Sequence, residues 1–182
     1  MSLQTWQETL ITNTGVGPTI SAITITSLLP TDAVLTLPAN YFYTGRKLRI
    51  NAWGQCTNVV TTPGTKTFTV NIGGVAVFAT PAMALNIMAG TYNWELSILL
   101  NCTAVGSGTL GKIKGTARFS SAAIIGAPLP SAGGSANLLS PLGAQVDGVG
   151  FSTVAAGAID LLITNTVNSG DILHQYVLES LN

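Results

Sequence analysis

A chain of 182 residues is long enough for one domain, since a core of that size buries roughly 70% of the surface exposed by the unfolded chain. Charged residues make up only 8% of it, against roughly 25% in ordinary soluble domains. Seven basic and seven acidic groups cancel, so no overall field draws in nucleic acid or an anionic membrane, and neither is expected as a partner. No run approaches the roughly 18 apolar residues of a membrane span. The start at Met1-Ser2-Leu3-Gln4 lacks a basic segment followed by an apolar core, so synthesis in the cytosol is the expectation. Solubility must come from uncharged polar groups, among them 24 threonines, and from partner subunits that cover apolar surface.

In chain order, residues 1–18 precede the first strong strand signal and read as an arm or edge strand, leaving 19–182 as a single β-sandwich domain. Trp6 is the candidate anchor of that arm, because buried aromatic residues dominate interface energies; the alternative is that it packs on its own sandwich. Strands are expected at 19–26 and 33–37, separated by the turn Pro30-Thr31-Asp32. Across 47–55, Leu48, Ile50, Ala52 and Gly54 alternate with Arg49, Asn51, Trp53 and Gln55, which is how a half-buried strand reads. Residues 67–79 should form a hairpin: Phe68, Val70 and Ile72 oppose Thr67, Thr69 and Asn71, and Gly73-Gly74 accept the positive φ of a tight turn. The best helix candidate is a short turn near 82–88.

The longest clean alternation, 94–102, sets Trp94, Leu96, Ile98, Leu100 and Cys102 against Glu95, Ser97, Leu99 and Asn101, and belongs at the centre of a sheet. A strand at 112–119 follows. From 121 to 157 the chain is rich in Ala, Gly, Ser and Pro, too long for an ordinary connection, with room for short strands at 136–139 and 146–151. That stretch suits contacts with neighbouring subunits, or is a plain surface insertion. Strands at 159–166 and 172–180 complete the chain. About eight strands and almost no helix predict an all-β sandwich, with a jelly roll as the preferred topology.

Signals for chemistry are sparse. Cys56 and Cys102 both end alternating segments, so a pair is geometrically possible, but reduced buried thiols are the expectation in a cytosolic chain. His174 is the single histidine. A hydrolase would need it with Asp160 or Asp171 as orienter, yet no nucleophile elbow is present, and its parity with Ile172, Tyr176 and Leu178 suggests a packed or hydrogen-bonded structural role. The carboxylates are scattered singly, and no metal site, cofactor site or catalytic set is expected. Gly106-Ser107-Gly108-Thr109-Leu110-Gly111-Lys112 has the wrong spacing for a phosphate loop and reads as a turn. Asn101-Cys102-Thr103 meets the glycosylation pattern and should stay unmodified. Lys112, Lys114 and Arg118 share one strand face, either solvated or docked on an acidic neighbour. Arg49 shares a face with Trp53 and could pair with a carboxylate or stack on the ring. Trp6, Arg49, Trp53, Lys112, Lys114 and Arg118 are therefore the candidate interface residues.

Several longer motifs carry a resemblance. Trp6-Gln7-Glu8-Thr9-Leu10-Ile11, Thr26-Ser27-Leu28-Leu29-Pro30, Gly45-Arg46-Lys47-Leu48-Arg49-Ile50 and the terminal Leu173-His174-Gln175-Tyr176-Val177-Leu178-Glu179-Ser180-Leu181-Asn182 are similar to a family of tailed-phage virion proteins. So are Leu37-Pro38-Ala39-Asn40, Thr61-Thr62-Pro63-Gly64-Thr65 and Leu99-Leu100-Asn101-Cys102-Thr103-Ala104-Val105-Gly106, so the likeness spans nearly the whole chain and is weakest in the middle loop. Family members often have Ser where this chain has Cys56. The resemblance implies a non-enzymatic role as a head-decoration, cement or minor virion protein, made in the host bacterial cytoplasm and carried in the virion. Its partners would be the major capsid protein, other virion proteins and further copies of itself, with a trimer foremost on grounds of capsid symmetry. The alternative is a tail or head-fibre module that binds host glycans.

Overall fold

A computed structural model describes residues 7–58, 61–87, 89–125 and 136–181. Among the described residues twelve strands run in chain order: β1 (Gln7–Thr12), β2 (Thr26–Ser27), β3 (Leu35–Leu37), β4 (Lys47–Asn58), β5 (Thr65–Ile72), β6 (Val75–Ala79), β7 (Met83–Ala84), β8 (Gly90–Ala104), β9 (Lys112–Ser121), β10 (Ala136–Ser140), β11 (Gly157–Asn165) and β12 (Asp171–Leu181). One 3-10 turn at Thr31–Ala33 is the only helical element among the described residues, and no helix there is long and apolar enough to cross a membrane.

One sheet has the order β1-β12-β4-β8-β9-β10; the other has β2-β11-β5-β6, with β3 also on β11 and β7 on β5. Every ladder is antiparallel, and the nesting defines the topology. With β2 and β3 taken as one interrupted strand, first pairs with last: β1 with β12, β2 and β3 with β11, β4 with β8, β5 with β6. That is a long hairpin folded over on itself, the jelly roll, to which β9 and β10 add two strands beyond β8.

Period-two alternation builds the core. On β8, Trp94, Leu96, Ile98, Leu100 and Cys102 point inward and are buried, and β8 is central, between β4 and β9. Phe68 on β5 meets Trp94 and Phe119 from the facing sheet with centroids 5.4 and 5.2 Å away, so one aromatic cluster ties the two layers. The hairpin of β5 and β6 turns through Gly73 and Gly74, at φ 58° and 82°, with Ile72 opposite Val75.

Four expectations are corrected. Residues near 82–88 carry helix-favouring Ala, Leu and Met, but β7 pairs with the β5 edge and Met83 and Leu85 alternate inward, so a tertiary ladder overrides local propensity. Of the strand expected at 19–26, only a bridge at Ile20 and β2 remain; β2 pairs with β11 at Leu162 and Ile163 alone, and residues 21–25 join no ladder. Residues 146–151 supply one bridge, Phe151 to Gly111, rather than a strand. On β12 a bulge between Leu173 and Gln175 breaks the parity that would have turned His174 inward, and His174 is exposed.

Candidate functional site

The outer face of the six-stranded sheet gathers the candidate residues. Register places them in rows that cross the strands. Gln175, Trp53, Glu95, Ser120 and Asn137 form one row; Val177, Asn51, Ser97, Arg118 and Leu139 form the next. Glu179, Arg49, Leu99 and Thr116 follow, then Leu181, Lys47, Asn101 and Lys114. Arg49, Trp53, Lys112, Lys114 and Arg118 thus share one face although they come from two strands separated by β8. Trp6 lies outside the described residues.

Two apolar side chains stand out on this face: Leu99 is 37% exposed and Leu139 is 63% exposed. They flank a shallow hollow of about 210 Å³ with Ser97, Thr116 and Arg118. An adjoining hollow of about 180 Å³ is polar, lined by Glu95, Ser97, Arg118, Ser120 and Asn137. The Arg49 guanidinium reaches the Glu179 carboxylate at 3.5 Å, and Gln7 Nε2 donates to the other oxygen of Glu179 at 2.6 Å, which ties edge strand β1 to the face. The cation stacked on rings is a different one: Arg46 sits over Tyr41 and Tyr43 at 4.2 and 4.8 Å. Lys112 lies at the far end of β9, where its Nζ would be 2.9 Å from a Cβ added to Gly150.

A separate apolar groove of about 330 Å³ opens where the sheets part, lined by Val77, Phe78, Ile113, Pro141, Val146 and Val149. Phe78 crosses from β6 onto the backbone of β9 at Gly115, where an added Cβ would meet its ring at 2.2 Å. Among the described residues no charged side chain lines this groove.

The hydrolase set does not come together. His174 is exposed on its bulge, and its carbonyl accepts from Asn13 Nδ2 at 3.0 Å. Asp160 accepts from Ser27 Oγ at 2.6 Å, and Asp171 is buried against Lys66. The cysteines are free and remote from one another: Cys56 lies opposite Tyr92, ten residues along β8 from Cys102, or roughly 33 Å at strand rise, far beyond disulfide reach. No group of three or more His, Cys, Asp or Glu suited to a metal gathers among the described residues.

Sequence reasoning missed the polar group inside the core. Lys66 and Asp171 are both fully buried and joined by an ion pair. Asn165 Nδ2 and Ser169 Oγ donate to Asp171 Oδ2 at 2.8 and 3.1 Å. Burial raises the neighbouring Cys56 thiol to about 11; Lys66 opposes that shift and Asp171 adds to it. Parity was the available signal, since Lys66 shares the inward face of Phe68, Val70 and Ile72.

Comparison of the chain with family models, curated proteins and solved structures finds no match.

Proposed function

We infer that this chain is a non-enzymatic structural protein of a tailed-phage particle, one that decorates or cements the capsid through protein contacts and acts as a homo-oligomer, foremost a trimer. The observation that carries this reading is the outer face of the six-stranded sheet. It is broad, and among its charged rows it presents Leu99 and Leu139 to solvent, apolar surface that lasting contact would bury. The motif resemblance supplies the virion setting. An exposed histidine whose candidate orienting carboxylates bond elsewhere favours binding over catalysis.

Light scattering of the purified chain, and co-sedimentation with particles, test this reading. A defined oligomer that Leu139→Asp dissociates, with circular dichroism unchanged, is the expected result. A monomer that neither associates nor binds particles would overturn it. One observation favours the glycan reading as runner-up: the polar hollow of Glu95, Ser97, Arg118, Ser120 and Asn137 lies one strand from Trp53, offering hydrogen-bonding groups near an aromatic ring. Glycan-array binding lost in Asn137→Ala but kept in Leu139→Asp would select it.

A further inference from the structure

The buried polar group joins three residues in an arrangement suited to bond formation. Lys66 on β5 lies directly opposite Asn165 on β11, and both point into the core. Residues so opposed have Cβ atoms about 5 Å apart, within easy reach of a lysine side chain. Asp171 comes from β12 in the facing sheet, and its two oxygens reach both: Oδ1 takes the Lys66 ammonium, while Oδ2 takes the Asn165 amide at 2.8 Å together with the Ser169 hydroxyl at 3.1 Å. Lys66 and Asp171 are 0% exposed and Asn165 is 1% exposed, so the three meet away from water. Asn165 Oδ1 is also buried and has no hydrogen-bond donor among the described residues. Turned end for end, the same amide would present that oxygen to Asp171 Oδ2, a contact that requires a proton on Asp171, and Lys66 is the group placed to supply it.

We propose that Lys66 and Asn165 join in an intramolecular amide bond, with Asp171 as the acid and base that promotes it. Asp171 removes a proton from the Lys66 ammonium and donates it toward Asn165 Oδ1, polarising the carbonyl. The freed Nζ lone pair attacks Cγ of Asn165, forming Nζ–Cγ. Asp171 then passes a proton from the attacking nitrogen to Nδ2, and the Cγ–Nδ2 bond breaks with release of ammonia. Of the two protons that Nζ gives up, one leaves on the ammonia and the other stays on Asp171. No oxidant or cofactor is needed. Two buried charges are replaced by a neutral amide and a neutral acid, which the low-dielectric core favours. Asn165 is the acceptor rather than Asp171 because a bond to Asp171 would use up the only carboxylate that pairs with Lys66 among the described residues. The bond would cross-link β5 to β11 at the end of their ladder, independently of the outer face and its partners.

Intact-mass spectrometry of the denatured full-length wild-type chain tests this. The expected result is a mass below that of the encoded chain by one ammonia, with no tryptic cleavage after Lys66 and one branched peptide joining the Lys66 and Asn165 segments. Asp171→Asn and Asn165→Ala should each show the full encoded mass. Wild-type protein at the encoded mass overturns the proposal, as does ammonia loss with cleavage at Lys66 intact, or a branch that maps to Asp171 with loss of water. Because the wild-type spectrum and peptide map decide by themselves, variants that fail to fold do not blunt the test.

Discussion

Gly54 tests whether the core is packed as described. It lies on the inward face of β4, opposite Trp94 on one side and Leu173 on the other. A Cβ placed there would sit 2.2 Å from the Ile172 carbonyl oxygen and 2.4 Å from Trp94 Cζ2. Neither can give way cheaply. Ile172 belongs to the β4–β12 ladder, and the Trp94 ring is held against Phe68 at 5.4 Å and Phe119 at 6.3 Å. Overpacking of this kind costs about 1 to 3 kcal/mol where some relaxation is available. With backbone on one side and a stacked ring on the other, Gly54→Ala should fall at the upper end, about 3 kcal/mol. For a domain of this length that corresponds to a loss of about 6 to 12 °C in Tm.

Urea unfolding followed by tryptophan fluorescence reads the change directly, with an unchanged m-value showing that the loss is in stability. Gly15→Ala is the control, since a Cβ there meets nothing within 4 Å, and its effect should stay within about 0.5 kcal/mol. A Gly54→Ala protein as stable as that control would refute the placement of Trp94 across β4.

Two further predictions concern ionisation. Burial holds the Cys56 thiol up at about 11 against an ordinary 9.0, so its neutral form stabilises the fold fully below pH 9, and that contribution is lost as pH rises toward 11. Tm measured across this window should fall less steeply in Cys56→Ala, although Tyr176, also raised by burial, keeps a share of the decline. Thr14 Oγ1 donates to Asp32 at 2.6 Å and is the main cause holding that carboxyl below 3.8. The contact therefore stabilises above the ordinary carboxylate range and is lost as pH falls through the lowered value; carboxyl NMR should show Asp32 titrating nearer 3.8 in Thr14→Val.

The parts of the fold legible in sequence are those where one strand face is uniformly apolar. Trp94 to Cys102 alternates without a break, so its inward set could be named residue by residue. Gly73-Gly74 fixed a turn because positive φ leaves few other residues. Legibility failed where a partner strand decides. Residues 21–25 have strand-like composition but no ladder to join, and Met83 and Ala84 take strand geometry only because the β5 edge is there. The bulge at His174 inverted one parity reading and left the apolar pattern on either side intact. The outer-face residues were found one at a time, through charge and aromaticity; their common face depends on the β4–β8–β9 register, which no single strand encodes. The pairing of Lys66 with Asp171 was not singled out at all, because their meeting required two strands in different sheets, with the two residues 105 positions apart, to be brought together by the fold.

Salt separates the forces available to the outer face. Arg49 is answered by Glu179, which leaves Lys47, Lys114 and Arg118 against Glu95 in the rows that surround Leu99 and Leu139. That balance is basic, so copies that meet through this face bring like charges near one another while burying apolar side chains. Raising ionic strength from about 0.05 to about 0.5 M shortens the Debye length from roughly 14 to 4 Å, which screens the repulsion and leaves apolar burial in place. Self-association should then hold or strengthen with salt in sedimentation velocity, while docking on an acidic neighbour should weaken over the same range. Dissociation of the oligomer by salt would mean that charge pairing, and not Leu99 and Leu139, holds the copies together, and would move the proposed contact away from this face.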